Sequence, residues 1–542
     1  MKSWHGRRVA GTVLTGTLVL LAGCSSSTPT GEGAEGDPTT GGTTAEPSGE
    51  DEPTTPSASQ VTDLVVDVLT EPDSLDPMYR NAVEAQRYYR LVYSTLLRWQ
   101  EDGSVQPELL TELPEISEDG LVYDLTLREG ITFHDGSPLT ADDVVFTFEE
   151  AKDPENGSVW LSALAYVDKV EAVDEYGVRL TLSEPYAYME SRLAMIPIIP
   201  DETDYVVNET YAASGNGTGP YRLDEIKRGD EIVLVKNEDY FGQAPQFESI
   251  TLKLVPEDSS RIARVTNGES HIAPAIPANQ VDLVRSRGAF AETVEANLTR
   301  VFFIPSMKEG RPTANADFRQ AIAWAVDRRQ IIDHVYHGAG RPTSTYLSYG
   351  QLYHDEALGL TFGERPDLEK AKALLESSGV DTSQTFTIIS ANTPDLVNAA
   401  TIIQQNLTEL GLKVEVSAEE TAAYYPKLVS GDYDVILYGS PVASVGGFAP
   451  DNVNGGLNST SANNFNGFAD AEMDELLHRA LTGRTDAELA EAWRAVQERD
   501  LVTQGQIELV VTQISEAWSA DLGESYKPSN LPWLHSLLPA VD

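Results

Sequence analysis

The 542-residue sequence predicts an α/β protein of two or three domains, carried behind an export signal and a polar leash. Three observations lead there. Apolar residues alternate with polar ones at period two through much of the first half. A strand–helix–strand–helix–strand order follows in the second half. The globular stretch from Val61 to Asp542, 482 residues, also exceeds one ordinary core.

In chain order, Lys2, Arg7 and Arg8 precede an apolar run from Val9 to Ala22, too short for a comfortable transmembrane helix. The run ends in Leu21-Ala22-Gly23-Cys24, and Cys24 is the only cysteine of the chain. This pattern resembles a bacterial lipobox, in which small residues suit a signal peptidase and the thiol is then acylated. Residues 1–23 are therefore expected to be a lipoprotein signal peptide, with Cys24 the lipidation site. The Arg7-Arg8 pair leaves Sec and twin-arginine export both open. A single cysteine excludes an internal disulfide, a thiolate zinc site and a cysteine nucleophile in the mature chain.

Residues 24–60 continue as the lipidated cysteine and an acidic Ser/Thr/Gly/Pro linker, with Glu32, Glu35, Asp37, Glu46, Glu50, Asp51 and Glu52 and no basic residue. Such a composition buries too little apolar surface to offset ordering entropy, so a disordered tether spanning roughly 30 Å is expected. Removing the signal leaves 35 basic against 85 acidic residues, a net charge of −50. So negative a surface repels phosphates, which argues against nucleic-acid binding and against membrane attachment by a basic patch. Attachment falls to the lipid, on the outer face of the cytoplasmic membrane.

Within the body, Tyr123, Leu125 and Leu127 alternate with polar residues, as do Val178, Leu180 and Leu182, and both stretches predict half-buried strands. Ile232–Val235 and Ile250–Leu254 extend the pattern. In the second half, Thr393 caps a helix with Pro394 at its first position, and Leu396, Ala400, Ile403, Leu407 and Leu410 recur on one face up to Gly411. Strands at Phe386–Ile389, Val414–Val416 and Tyr433–Tyr438, with a helix at Thr421–Val429, complete a parallel unit with right-handed crossovers. Between the halves, Phe318, Ile322 and Ala325 mark a helix. Asp327, with Gln330 three residues on, starts another that runs to Gly338.

Catalytic signatures are missing: the sequence holds no GxSxG, no GxxxxGK[ST] and no HExxH. His334 and His337 lie three apart, and a solvated helix end explains them better than metal ligation. Gly215–Tyr221 is glycine-rich, but Pro220 points to a tight turn instead of a phosphate cradle. Asp142-Asp143 is one of many acidic pairs expected on a solvated face.

Several segments together resemble family 5 of the bacterial extracytoplasmic solute-binding proteins, the oligopeptide-, dipeptide- and nickel-binding components of ABC importers. They are Ser74-Leu75-Asp76-Pro77, Val92–Leu97, Pro107–Leu109, Tyr123–Gly136 running into Leu139–Phe146, Gly217–Tyr221, Asn237 with Tyr240, Arg319–Ile322 with Ala325–Arg328, and Gly431–Asp434. The resemblance implies a two-lobed, type II periplasmic-binding-protein-like fold with an extra subdomain in the first lobe. By analogy, lobe I spans 61–307 plus 509–542 with the insert at 101–195, and lobe II spans 308–508. Crossovers are expected near Phe302–Met307 and Leu509–Gln513.

The resemblance further implies a monomeric, non-enzymatic receptor that closes on a peptide or similar solute and hands it to an ABC permease, with no cofactor and no metal. A ligand sensor for a membrane receptor and a secreted hydrolase are the alternative readings. Ligand contacts are expected at Ser306, Met307, Tyr438, Gly439, Ser440 and Asn464, with Trp160 and Phe448 better explained as core. Peptide binders of the family carry an aspartate just past the strand matching Val435–Leu437, and here no acid follows until Asp451.

Overall fold

The computed structural model describes residues 61–542 apart from 80–82, 101–102, 202–203, 443–447, 525, 529–536, 540 and 542. The expected signal, Cys24 and the linker lie outside the described residues. Residues 59–542 form a single compact unit. No described helix is long and apolar enough to cross a membrane.

One mixed sheet runs through both halves. Its strands lie in the order Lys413–Glu419, Thr385–Ala391, Val435–Val442, Phe290–Pro305, Ile507–Trp518, Ile272–Ile276, Asp63–Val68, Ser249–Leu254, Glu231–Lys236 and Tyr221–Lys227. The three strands foreseen in the second half are parallel, with Thr385–Ala391 between the other two. The helix Pro394–Leu410 lies between two of them in sequence, buries Ala400, Ile403, Leu407 and Leu410, and stops at Gly411, whose φ of 108° a side chain would oppose. The break at Asp327 is also present, its carboxylate accepting from the Gln330 amide at 2.8 Å.

Two long antiparallel strands, Phe290–Pro305 and Ile507–Trp518, carry the chain between the halves. At one end Phe290 faces Trp518, which also pairs with Ile272. At the other end Phe302–Pro305 face Tyr438–Val435. Between these blocks the register breaks: Val294 faces Ile514, yet Leu298 faces the adjacent Gln513. Thr299–Pro305 pair without interruption with Pro441–Val435, and a second break in the other ladder falls between Val301 and Phe302, at the edge of the expected crossover Phe302–Met307. The other expected crossover, Leu509–Gln513, runs up to the first break.

The segment expected as an insert forms its own antiparallel sheet, in the order Glu115–Ile116, Val122–Thr126, Gly177–Leu182, Val167–Ala172. Asp143, half of the acidic pair, is used locally: one carboxylate oxygen accepts from the Thr140 amide at 2.7 Å and the other from the Asp201 amide at 2.8 Å.

Two large apolar clusters hold the halves. One gathers Leu64, Val66, Tyr89, Phe148 and Leu180, and also takes in Leu477, Trp493 and Val496 from the helices Ala471–Thr482 and Asp486–Thr503. The family analogy puts these helices in lobe II, yet their apolar faces pack with the first-half core. The other cluster gathers Val301, Phe303, Phe318, Ile388, Leu407 and Leu437.

The glycine-rich segment is a close approach. The Gly219 amide donates to the Val92 carbonyl at 2.9 Å, and Gly217 accepts from the His134 amide at 2.9 Å. A Cβ on Gly217 would press on the Val92 carbonyl oxygen and lie 2.9 Å from the Tyr93 Cα. Its glycines let the chain lie against the end of the helix Val83–Val92.

Candidate functional site

In an open α/β sheet a solute finds its crevice outside the carboxyl ends of parallel strands. Here the strands Thr385–Ala391 and Val435–Val442 finish side by side, and their pairing ends at Ser390–Leu437 while the second strand runs on to Val442. The helix Pro394–Leu410 begins beside that end. A cleft of about 910 Å³ opens there.

Both halves of the sheet line this cleft. Thr393, Asp395, Leu396, Gly439, Tyr336 and His337 come from the second half, and Leu69, Asp258, Ser259 and Ile276–Gln280 from the first. Thr299, Val301 and Thr512–Ile514 of the two crossing strands also border it. Residues near the register break therefore belong to the cleft wall.

The cleft is acidic. Asp258 and Asp395 sit in the first turns of the helices Asp258–Asn267 and Pro394–Leu410, where the helix dipole favours carboxylates. Partial burial raises the Asp395 carboxyl above its usual range, with His337 acting against the rise and Asp258 adding to it. Arg261 also lines the cleft, but its guanidinium donates to the carbonyls of Val255, Pro256, Pro274 and Ala275 at 2.6–3.0 Å. The Asn279 Nδ2 donates to His337 Nε2 at 3.3 Å. Among the described residues no three His, Cys, Asp or Glu side chains are placed to hold a metal.

Of the six ligand contacts expected from the sequence, Gly439 lies in the cleft. Its neighbours Tyr438 and Ser440 take the opposite face, as strand alternation requires. Tyr438 stacks on Tyr424, centroids 6.1 Å apart, and meets Phe302 edge-on at 5.6 Å. Ser306 is buried and its hydroxyl donates to the Gly431 carbonyl at 2.8 Å. The Met307 amide donates to the Asn466 carbonyl at 2.9 Å. Asn464 bonds through its side chain to the backbone of Asn458 and Phe468. Ser306, Met307 and Asn464 thus knit loops to the strand end and are not gathered around the cleft. Trp160 is core, its indole donating to the Pro77 carbonyl at 2.8 Å. Phe448 opens the helix Phe448–Leu457.

Asp451, the one acid beyond the strand, is already engaged elsewhere. Tyr186 donates to it at 2.5 Å and Arg192 forms an ion pair with it. Burial raises its carboxyl above the usual range against the pull of Arg192.

Asp258, His337, Thr393, Asp395 and Leu396 escape sequence reasoning as cleft residues. One signal is present: Thr393-Pro394 starts a helix directly after a parallel strand, and that junction is where a crevice forms.

These features have counterparts among known proteins. The model of the bacterial extracellular solute-binding proteins, family 5, middle region, matches residues 104–464. The probable D,D-dipeptide-binding periplasmic protein of Escherichia coli is 27% identical over 401 residues, which is 72% of this chain and 75% of that protein. The crystal structure of an ABC transporter substrate-binding protein, CtaP, from Listeria monocytogenes superposes with a TM-score of 0.75 at 25% identity, covering 85% of this chain and 94% of the other. The oligopeptide-binding protein AppA of Bacillus subtilis, solved with a nonapeptide, gives a TM-score of 0.77 at 22% identity, covering 89% and 100%. The fold is therefore the two-lobed α/β fold of type II periplasmic binding proteins.

Proposed function

We propose, from the premise that this chain belongs to family 5 of the bacterial extracellular solute-binding proteins, that its cleft captures peptides or similar small solutes for the permease of an ABC importer. The observation that carries the reading is the strand Val435–Val442, which outruns its partner and presents Gly439 to the 910 Å³ cleft. An extended peptide laid there would continue the ladder by main-chain hydrogen bonds, while the volume beside it accepts varied side chains. Asp258 and Asp395 favour amino groups over carboxylates in the solute. The naming of the Escherichia coli relative for a dipeptide agrees with this class.

Binding here is capture without turnover. The anchor we infer is a lipid on Cys24, supported by the basic residues, apolar run and small residues that precede it and by the acidic linker that follows. The protein then works as a monomer on the outer face of the cytoplasmic membrane.

The deciding experiment extracts the full-length protein gently from membranes and identifies by mass spectrometry what denaturation releases. A ladder of short peptides is the expected result. A single non-peptide compound, together with no rise in melting temperature on adding a pool of di- to pentapeptides, would overturn the peptide class.

A further inference from the structure

We infer that the cleft selects its solute by one positive charge joined to an apolar body, with Asp395 and Asp258 as the specificity-determining residues, and that it does not recognise a carboxylate on the solute. This rests on the reading of the cleft as the solute site and narrows it to amine-bearing solutes whose carboxyl end is free to vary.

The two acids reach the cleft from different halves. Asp258 is the first residue of the helix Asp258–Asn267, Asp395 lies in the first turn of Pro394–Leu410, and both side chains are exposed at the cleft wall. They are near enough for Asp258 to push up the Asp395 carboxyl. Asp258 accepts from the Ser259 amide at 2.7 Å, whereas among the described residues no donor lies within hydrogen-bond reach of Asp395. Two carboxylates facing one cleft repel each other, and an ammonium placed between them replaces that repulsion with attraction to both.

The cations that border the cleft offer a solute anion little. Arg261 is 3% exposed, and its guanidinium already serves four backbone carbonyls. His337 takes the Asn279 Nδ2 donor at Nε2, so that nitrogen has no proton to give a carboxylate. Much of the remaining wall is apolar, with Leu69 and Ile276 from the first half and Tyr336 and Leu396 from the second. A charged group leaving water for this cleft therefore finds a partner if it is positive and none if it is negative. Discrimination of this kind is a difference of affinities, built from repulsion of the wrong charge as much as from attraction of the right one.

Calorimetric titration of the full-length protein with four forms of one tripeptide, Ala-Leu-Ala, separates the two charges. The forms carry a free or acetylated amino end combined with a free or amidated carboxyl end. Acetylation should weaken binding at least about tenfold, and amidation should leave it within about twofold or tighten it. In Asp395→Asn and in Asp258→Asn the forms with a free amino end should weaken at least about tenfold, while the acetylated forms change less than about twofold. Both side chains are exposed, so the variants should melt close to the parent. Equal binding of free and acetylated forms, a loss on amidation as large as on acetylation, or an amino preference that survives both substitutions would overturn the inference. Hexylamine and hexanoate, tested alongside, set the inference apart from the peptide reading. If no tripeptide form binds but hexylamine does, more tightly than hexanoate and more weakly in Asp395→Asn, the peptide reading fails and the charge selection stands. Binding of neither the tripeptides nor hexylamine would overturn the charge selection as well.

Discussion

Arg300 and Glu508 face each other from the two crossing strands with neither reaching water, at 3% and 0% exposure. Arg300 donates from Nε to Glu508 at 3.1 Å, and its guanidinium lies between the rings of Phe302 and Tyr346, 4.0 and 3.5 Å from their centroids. Stacking on two aromatic faces and a two-pronged bond to one carboxylate use the planar guanidinium in a way an ammonium cannot. The pair ties the crossing strands together on the second-half side of the register break. Glu508→Gln would leave the Arg300 charge buried and unmatched, so a loss of about 3–5 kcal/mol is expected. Urea unfolding of the variant beside the parent measures it.

Asp500 lies in the same region. Burial pushes its carboxyl up to about 8, with the Tyr346 amide at 2.9 Å holding it down and Glu508 pushing it further up. The unfolded chain releases this proton near pH ~4, so between pH ~4 and 8 the folded form carries the extra proton. Its stabilising share is complete below that window and is lost as the pH rises through it. Asp500→Asn removes the titration, and its melting temperature should fall less than the parent's between pH 5 and 8 in a thermal scan series.

At Gly217 the chain lies against the end of a helix, where a methyl group has no room. Gly217→Ala should destabilise the protein by about 2–3 kcal/mol, since the obstacle is backbone and cannot swing away. At Gly229 an added Cβ would meet no atom within 4 Å, but φ is 75°, so Gly229→Ala supplies a control that isolates backbone strain from crowding.

Gly439 separates binding from folding. A Cβ there meets the Leu396 methyl carbons at 3.6 and 3.9 Å, ordinary contact distances. Gly439→Ala should therefore keep both stability and binding close to the parent's, whereas Gly439→Trp should fill the cleft and weaken peptide binding at least about tenfold. Calorimetric titration with whichever peptide co-purifies reads the difference.

For the anchor, Cys24→Ala should move the protein from the membrane fraction to the medium without altering the melting of the globular part. Fractionation of cells followed by blotting shows which compartment holds it.

Much of the architecture is legible in the sequence because it is written in local rules. The Thr393-Pro394 start, the Gly411 stop and the Asp327 cap act within one turn of chain, and period-two alternation marks the strands at Tyr123 and Val178 without reference to any partner. Gly439 is within reach of such reading because residues at a strand's carboxyl end tend to face a crevice. Tyr438 and Ser440 come with it only if alternation is ignored, since adjacent strand residues point to opposite faces and cannot share one wall. The engagement of Asp451 with Arg192, and the use of Ser306 and Asn464 in tying loops, depend on which distant segments fold together. No local pattern carries that information. The pairing of the crossing strands is hidden for a related reason: the apolar run Val301–Ile304 marks a buried strand, but nothing in it says which neighbour the strand pairs with.

Between Val294 and Leu298 one crossing strand advances four residues while its partner advances by one. A second, smaller break follows between Val301 and Phe302, where the partner steps from Val510 to Glu508. The two crossing strands are thus offset against each other at two levels, while Thr299–Pro305 keep an unbroken ladder with Pro441–Val435. A strand offset from one neighbour yet in step with the other takes its place in the sheet from the Val435–Val442 side.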